Sequence, residues 1–268
     1  MRETKGSPEP HLDRDFHIHT FFSPCADPAM SFAVITDTAR TAGLKDIGLT
    51  DHPYRPDLQR HQAALNQARK QHDGAPRIWI GAELEVVGMG KLIMSPADLP
   101  HADYILAAPS HYDLIHYPPV PHLDSPIEWA DRLLTDMENV PGSGAHAIAH
   151  PFFVYALHVA APEGMTLPRL EDVLEEIRPK RVVWLLERLA DAGIAIEISP
   201  RLSLNPAFLP FAQWFYQQAK QCGIRFLFGS DSHRPFTIGK LGKAWAFADG
   251  LGLGPEHLWH PEQVVKTG

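Results

Sequence analysis

A histidine or an acidic residue stands at or near the C-terminal end of every apolar, strand-like run in this chain. Seven such runs alternate with helical segments about a dozen or more residues long, an order typical of parallel β-α units. In a closed β/α barrel all strand ends meet at one mouth, whereas an open doubly wound sheet gathers ligands at one or two crevices. The pattern therefore predicts an α/β fold, a distorted seven-stranded (β/α) barrel like a TIM barrel.

The composition limits the class of protein. The 268 residues are 44% hydrophobic, enough to bury a large core, and no Gly/Ser/Pro-rich linker divides them. We therefore expect a flexible polar leader at residues 1–14 and a single domain at 15–268. A net charge of −8 argues against a dedicated nucleic-acid binder, which would normally carry a basic surface.

Two further features bear on the compartment. No apolar block is long enough to span a bilayer, and the polar N-terminus lacks the apolar region of a secretory signal. Cys25 and Cys222 are the only cysteines, too few for a disulfide framework. These features predict a cytoplasmic protein with no membrane partner.

His17 and His19 lie two residues apart on the first predicted strand, in D-F-H-I-H-T. Because successive side chains of a strand point to opposite faces, both imidazoles should project the same way, with Phe16 and Ile18 behind them. Two converging imidazoles suit a divalent transition metal better than a dry core. Asp15 shares this parity and could orient an imidazole through its second nitrogen.

Five later motifs follow the other strands: T-D-H, G-A-E-L-E, S-H-Y-D, A-H-P and G-S-D-S-H. In the last of them Asp231 and His233 repeat the spacing of the first histidine pair. In this order and spacing the motifs resemble the polymerase and histidinol phosphatase (PHP) family, from about Asp15 to the C-terminus. The resemblance implies a barrel that holds two or three divalent ions and hydrolyses phosphoesters. The implied ligands are His17, His19, His52, Glu83, His111, His150, Asp231 and His233.

The donor types agree with this implication. Imidazole suits zinc, iron and manganese, and a carboxylate such as Glu83 can bridge two ions. We assign catalytic roles to Glu83, Asp231 and His233 within the ligand set. Glu85 shares strand parity with Glu83 and could support a ligand, and Glu197 is a further candidate if its strand alternates in the same way.

Cys25 departs from the family pattern. Many members carry a histidine, and others an aspartate, six residues after the second histidine of H-x-H, where this chain has Cys25. A thiolate is a good zinc ligand, so the residue could be a substitution within the site. Two alternatives stay open: Cys25 packs in S-P-C-A-D, or Asp27 supplies the missing ligand.

The implied reaction uses a hydroxide activated by the metals, which also polarise the phosphoryl oxygens. Arginines just beyond strand ends could clamp the remaining phosphate oxygens: Arg201 in S-P-R, Arg234 in S-H-R-P and Arg55 in H-P-Y-R-P. A solvated surface position is the alternative for Arg234 and Arg55. We predict a small-molecule phosphomonoesterase with a small phosphorylated substrate and no stable nucleic-acid partner, and the sequence predicts no oligomeric state.

Other functions remain open at this point. Amidohydrolase barrels that cleave non-phosphate bonds have a similar H-x-H start, but no lysine suited to bridging metals is evident here. A nuclease or nucleotidase acting on short oligonucleotides or nucleotides is disfavoured by the acidic balance. A degenerate metal-binding module is disfavoured by the nearly intact ligand set. Histidinol phosphatase itself is permitted, although no residue selects it.

Overall fold

The computed structural model describes residues 13–53, 57–112, 120–153, 166–200 and 206–265. Within these ranges seven parallel strands lie in the order of the chain, and the first meets the last. Ile18 forms a parallel bridge with Ser232, and the amide of His19 donates to the Ser232 carbonyl over 2.9 Å. The chain therefore has the α/β barrel fold that the strand-end pattern predicts.

Eight strands are described, from two to twelve residues long. They are β1 (Arg14–Ile18), β2 (Asp46–Asp51), β3 (Arg77–Gly88), β4 (Lys91–Leu92), β5 (Tyr104–Ala108), β6 (Ala147–Ile148), β7 (Ala195–Ile198) and β8 (Phe226–Phe228). The short β4 pairs antiparallel with β3 and was not predicted. Arg14 is the first residue of β1, so the strand begins one residue inside the predicted leader.

Helices follow most of the strands. The described helices are α1 (Phe32–Thr41), α2 (Leu58–Gln71), α3 (Pro126–Glu138), α4 (Leu170–Glu175), α5 (Pro179–Asp191), α6 (Leu209–Gln221), α7 (Gly242–Gly250) and α8 (Glu262–Val265). Local sequence explains their starts: Ser31 caps α1, and a capping box of Ser125 and Glu128 begins α3. None of these described helices is long and apolar enough to cross a lipid bilayer.

The largest part of the apolar core lies between the helices and the outside of the barrel. Trp129, Leu186 and Phe215 on the helices share one cluster with the strand residues Ile105 and Ile196. A second cluster inside the barrel contains Phe16, Tyr104, Leu106 and Leu227 and forms its floor. The polar site therefore stands on an apolar floor and within an apolar wall.

A β-bulge in β1 changes the predicted orientation of its side chains. Asp15 pairs with Ile47 and Ile18 with Leu49, so three steps along β1 match two along β2. Phe16 therefore joins the barrel floor, while His17 points into the site. The expectation that Phe16 lies behind the two histidines is wrong, and so is the shared parity of Asp15 and His17.

Glycine at position 48 allows the floor to close. The Tyr104 hydroxyl donates to the Phe16 carbonyl over 2.6 Å and passes directly over Gly48. A Cβ added to Gly48 would lie 1.8 Å from that hydroxyl oxygen, so no larger residue fits without moving the tyrosine. The floor thus depends on one hydrogen bond and one close approach.

Asp46, the first residue of β2, joins several elements at the floor end of the barrel, away from the mouth. Its carboxylate accepts hydrogen bonds from Arg77 Nε over 2.6 Å and from Trp79 Nε1 over 3.0 Å, with His260 Nε2 at 3.5 Å. Burial alone would raise the pKa of Asp46, but His260, Arg77 and Trp79 lower it below its usual range. The ionised carboxylate therefore joins β2, β3 and the C-terminal segment.

We expect Asp46→Asn to lower the free energy of unfolding by about 1–2 kcal/mol at pH 7, because it removes charge-assisted hydrogen bonds. Since the folded pKa is depressed, this contribution is present above the unfolded pKa of about 3.9 and declines as the pH falls below it. Urea denaturation at about pH 7 and pH 3.5 measures both effects. As a control, Asp37→Asn breaks the exposed Arg40–Asp37 pair and should cost about 0.5 kcal/mol or less. Equal losses in the two variants would contradict the role of Asp46.

Candidate metal centre

Four buried side chains from three parts of the barrel converge on one point at its mouth. They are His17, His19, Glu83 and Asp231. The two Nε2 atoms are 3.2 Å apart, His17 Nε2 is 3.1 Å from Glu83 Oε2, and His19 Nε2 is 3.2 Å from Asp231 Oδ1. Ligand atoms of a tetrahedral ion with bonds of about 2.0–2.2 Å are about 3.3–3.6 Å apart. Two further distances lie in this range, 3.3 Å from His19 Nε2 to Glu83 Oε2 and 3.6 Å from His17 Nε2 to Asp231 Oδ1, and the first three are slightly shorter. The group therefore has the donors and nearly the spacing of a divalent metal site.

A second group shares Glu83 with the first. Glu83, His111 and His150 bring one ligand atom each within 4.8 Å of one another. Glu83 Oε1 is 2.7 Å from His150 Nε2, while Oε2 faces the first group. The two oxygens of one carboxylate thus face two different ligand groups, which is the arrangement that a bridging ligand requires.

Two more groups complete the cluster. His19, Cys25, His52 and His233 bring their donors within 4.8 Å of one another, and so do His52, Glu85 and His111. Asp27 stands apart, because its Oδ1 accepts the Ala29 amide over 2.8 Å at an exposed position. All eight predicted ligands and Cys25 therefore meet at one place, although their binding of metal stays a prediction.

The predicted substrate-binding arginines are only partly described. Arg234 directly follows His233 and is exposed. Arg55 and Arg201 lie outside the described residues. The role of all three stays a prediction.

At several strand ends near the cluster, the backbone adopts a conformation that is uncommon for residues with a side chain. Ser110, His150 and Asp231 have φ angles of 64°, 25° and 52°, in a region that residues with a side chain seldom adopt. Gly229 makes room for the cluster, because a Cβ there would lie 1.9 Å from Glu197 Oε1 and 2.5 Å from His17 Cβ. The chain therefore accepts local strain where the donors must converge.

Partner groups orient two of the histidines through their second nitrogen. His17 Nδ1 lies 2.9 Å from Glu197 Oε1, and the other Glu197 oxygen accepts the His150 amide over 2.6 Å. His19 Nδ1 lies 3.2 Å from Ser23 Oγ, which donates to Asp51 Oδ1 over 2.7 Å. These contacts direct both Nε2 atoms to the cluster, as supporting shells of metal sites do.

Sequence reasoning identified some of these partners and missed others. Glu197 was a candidate, and the structure gives it the orienting contact that was expected of Asp15. Asp15 instead accepts the amides of Ser230 and Gly239 over 2.9 Å each. Ser23 and Asp51 were missed, although the acidic residue before His52 in T-D-H was an available indication.

Opposite charges shift the pKa values of the cluster. Burial alone would lower the pKa of His19, but hydrogen bonds to Asp231 and Glu83 raise it to about 9. Burial and the neighbouring His19 lower the pKa of His233 to about 3, so this imidazole is neutral near pH 7. Burial, Glu83 and Asp231 raise the pKa of the Cys25 thiol to about 12.

Comparison with solved structures finds the same fold. A histidinol phosphate phosphatase from Lactococcus lactis, crystallised with zinc, L-histidinol and phosphate, is 19% identical over 91% of this chain and 95% of its own, with a TM-score of 0.64. A Listeria monocytogenes protein assigned as a histidinol phosphatase is 15% identical over 85% and 97%, with a TM-score of 0.58. No protein-family model matches, and a search of curated proteins finds no relative. At these identities the likeness establishes a shared fold.

Metal binding should strengthen with rising pH up to about pH 9. Because the raised pKa keeps His19 protonated below that value in the metal-free chain, an incoming ion must displace its proton. We expect the zinc association constant to rise at least about tenfold per pH unit between pH 6.5 and 8.5. Calorimetry in two buffers of different ionisation enthalpy counts the released protons. A pH-independent affinity without proton release would contradict this account.

Glu197→Gln should weaken zinc binding about 10- to 100-fold, because the orienting contact of His17 loses its charge. Competition with a chelating dye measures the affinity, and circular dichroism confirms that the variant folds. Glu187→Gln, an exposed change on α5, is the matched control and should bind like wild type. Unchanged affinity in a folded Glu197→Gln variant would show that Glu197 does not support the site.

Proposed function

We propose that this chain is a metal-dependent phosphomonoesterase of the PHP family that hydrolyses a small phosphorylated molecule. The observation that carries the proposal is the position of Glu83 between two ligand groups. Its Oε2 lies 3.1 Å from His17 Nε2, and its Oε1 lies 2.7 Å from His150 Nε2. A carboxylate shared in this way, with imidazoles on both sides, is the donor arrangement of a two-metal hydrolase.

Two bound ions would activate a water as the nucleophile and polarise the phosphoryl oxygens. The carboxylates of Glu83 and Asp231 would offset part of the positive charge of the ions. Among the eight ligands that the family resemblance implies, His233 has the most exposed side chain, with a quarter of it exposed, so it faces an incoming substrate. Its Nδ1 donates to the Asp231 carbonyl over 2.9 Å, which fixes the ring beside the first ligand group.

The nature of the ions and of the substrate is part of the proposal. The structural neighbour from Lactococcus lactis holds zinc, L-histidinol and phosphate, so we propose zinc and a compact phosphomonoester for this chain. Manganese and iron are also compatible with imidazole and carboxylate donors. The net charge of −8 disfavours a polymeric nucleic acid, since polymer binding requires many phosphate contacts.

In this proposal, arginine side chains bind the phosphate oxygens that the metal ions leave free. Arg234 follows His233 directly and is exposed at the mouth. We keep Arg201 and Arg55 as further candidates from their positions after strand ends. We also propose that the protein works in the cytoplasm, because a reducing compartment would keep the Cys25 thiol available.

Chelation and metal return test the proposed function. Metal-free protein should lack phosphatase activity, and zinc or manganese should restore it toward small phosphomonoesters, L-histidinol phosphate among them. His17→Ala and Asp231→Ala should each lower both the bound metal and the activity, the latter at least about a hundredfold, because each removes a ligand of the first group. Metal analysis and phosphate release measure the two effects.

The control for these variants is His101→Ala, which removes a histidine just before β5, away from the strand ends that carry the site. It should retain metal and activity. Full activity after exhaustive chelation would overturn the proposal. Faster hydrolysis of amides, or of short oligonucleotides, would replace the phosphomonoesterase with an amidohydrolase or a nuclease.

A further inference from the structure

The thiol of Cys25 faces the imidazole cluster although the residue as a whole is exposed. Its sulfur lies within 4.8 Å of the donor nitrogens of His19, His52 and His233. Cys222, the other cysteine, caps the end of α6 and belongs to none of the donor groups found among the described residues. The chain therefore has one cysteine at the site and one outside its donor groups.

Hydrogen bonds hold the Cys25 loop against the last strand end. The amide of Asp27 donates to the His233 carbonyl over 2.9 Å, and the amide of Ala26 donates to the Ser23 carbonyl over 3.0 Å. Ser23 in turn donates to Asp51 over 2.7 Å. The position of the sulfur beside His233 therefore follows from main-chain contacts on both sides of Cys25.

Neighbouring acceptors fix which nitrogens of the two flanking histidines can act as ligands. His233 Nδ1 donates to the Asp231 carbonyl, which leaves Nε2 to accept or to ligate. Glu85 Oε1 lies 3.5 Å from His52 Nδ1 and favours a proton there, so Nε2 is again the ligand atom. The His19 ring lies between these two imidazoles, with ring centroids at 4.7 Å from His52 and 4.4 Å from His233.

His19 is already used by the first ligand group. Its Nε2 lies 3.2 Å from both His17 Nε2 and Asp231 Oδ1. One imidazole nitrogen cannot ligate two ions at once. His52 Nε2 also lies 3.3 Å from Glu83 Oε2, so the third group adjoins the first. The third group then offers one sulfur and two nitrogens, from Cys25, His52 and His233, and a fourth coordination position would remain for a solvent or substrate oxygen.

We infer that Cys25, His52 and His233 form a separate, thiolate-containing metal position that selects zinc over manganese or magnesium. A soft sulfur donor favours zinc, whereas the two groups that share the Glu83 carboxylate offer oxygen and nitrogen and are less selective. The inference rests on the proposed metal centre and gives one of its positions a different metal preference. It also makes Cys25 a metal ligand. The two alternatives were that Cys25 only packs in its loop, or that Asp27 supplies the ligand in its place.

Cobalt and zinc titrations of wild type, Cys25→Ser and Cys222→Ser test this inference. With cobalt, wild type and Cys222→Ser should show an intense near-ultraviolet thiolate-to-metal band, and Cys25→Ser should lack it. With zinc, Cys25→Ser should bind one equivalent fewer than wild type and Cys222→Ser. When manganese is supplied with one equivalent of zinc, wild type should retain that zinc, and alkylation of Cys25 should be slow until it is removed.

Failure of this inference can be distinguished from failure of the proposed function. If Cys25→Ser keeps the thiolate band and the wild-type zinc count, or if Cys25 reacts equally fast with and without zinc, the thiolate position is wrong. Loss of phosphatase activity is not needed for either result. If instead the wild type binds no metal and has no phosphatase activity, the proposed function fails as well. Circular dichroism of Cys25→Ser checks that it folds, and Cys25→Ala, which leaves no donor at all, should reproduce its zinc count.

Discussion

A single buried carboxylate, Glu83, faces imidazoles on every side, and the mouth of the barrel is arranged around it. Burial alone would raise its pKa, but His17, His52, His111 and His150 hold it well below the usual range. The carboxylate therefore stays ionised in a place where an unpaired charge would cost several kcal/mol. Each strand end that carries one of these histidines must reach the same point, and this requirement sets the positions of the ends of β1, β2, β5 and β6.

The same convergence explains why the surrounding structure is unusually constrained. Glu197 contacts both His17 and the amide of His150, so one side chain positions parts of two strand ends. The close approach of Gly229 to Glu197 leaves no space for a Cβ. Because charged groups of both signs are buried together here, a divalent ion that binds only the folded chain would stabilise the fold as well as supply chemistry.

Much of this arrangement could be predicted from the sequence, because parallel strands place their C-terminal ends together and the ligand residues stand at those ends. The positions of His111 and His150 directly after two predicted strands were enough to predict that both lie near Glu83. The orientation of Asp15 could not be predicted, because an irregularity within one strand leaves the alternating pattern of letters unchanged. Ser23 and Asp51 were missed for a related reason: hydrogen bonds between loops depend on tertiary packing. The exact strand ends also differ, since the motif residues after β8 are held by the bridge to Ile18 and by strained turns and not by a regular ladder.

The bulge in β1 separates two tasks that a regular strand would combine. Because of the extra residue, Phe16 and His17 both point into the barrel. Phe16 packs in the floor, and His17 lies at the mouth. Neighbouring residues of the sequence therefore meet two different requirements: position 16 fills the floor, and position 17 places a donor at the mouth.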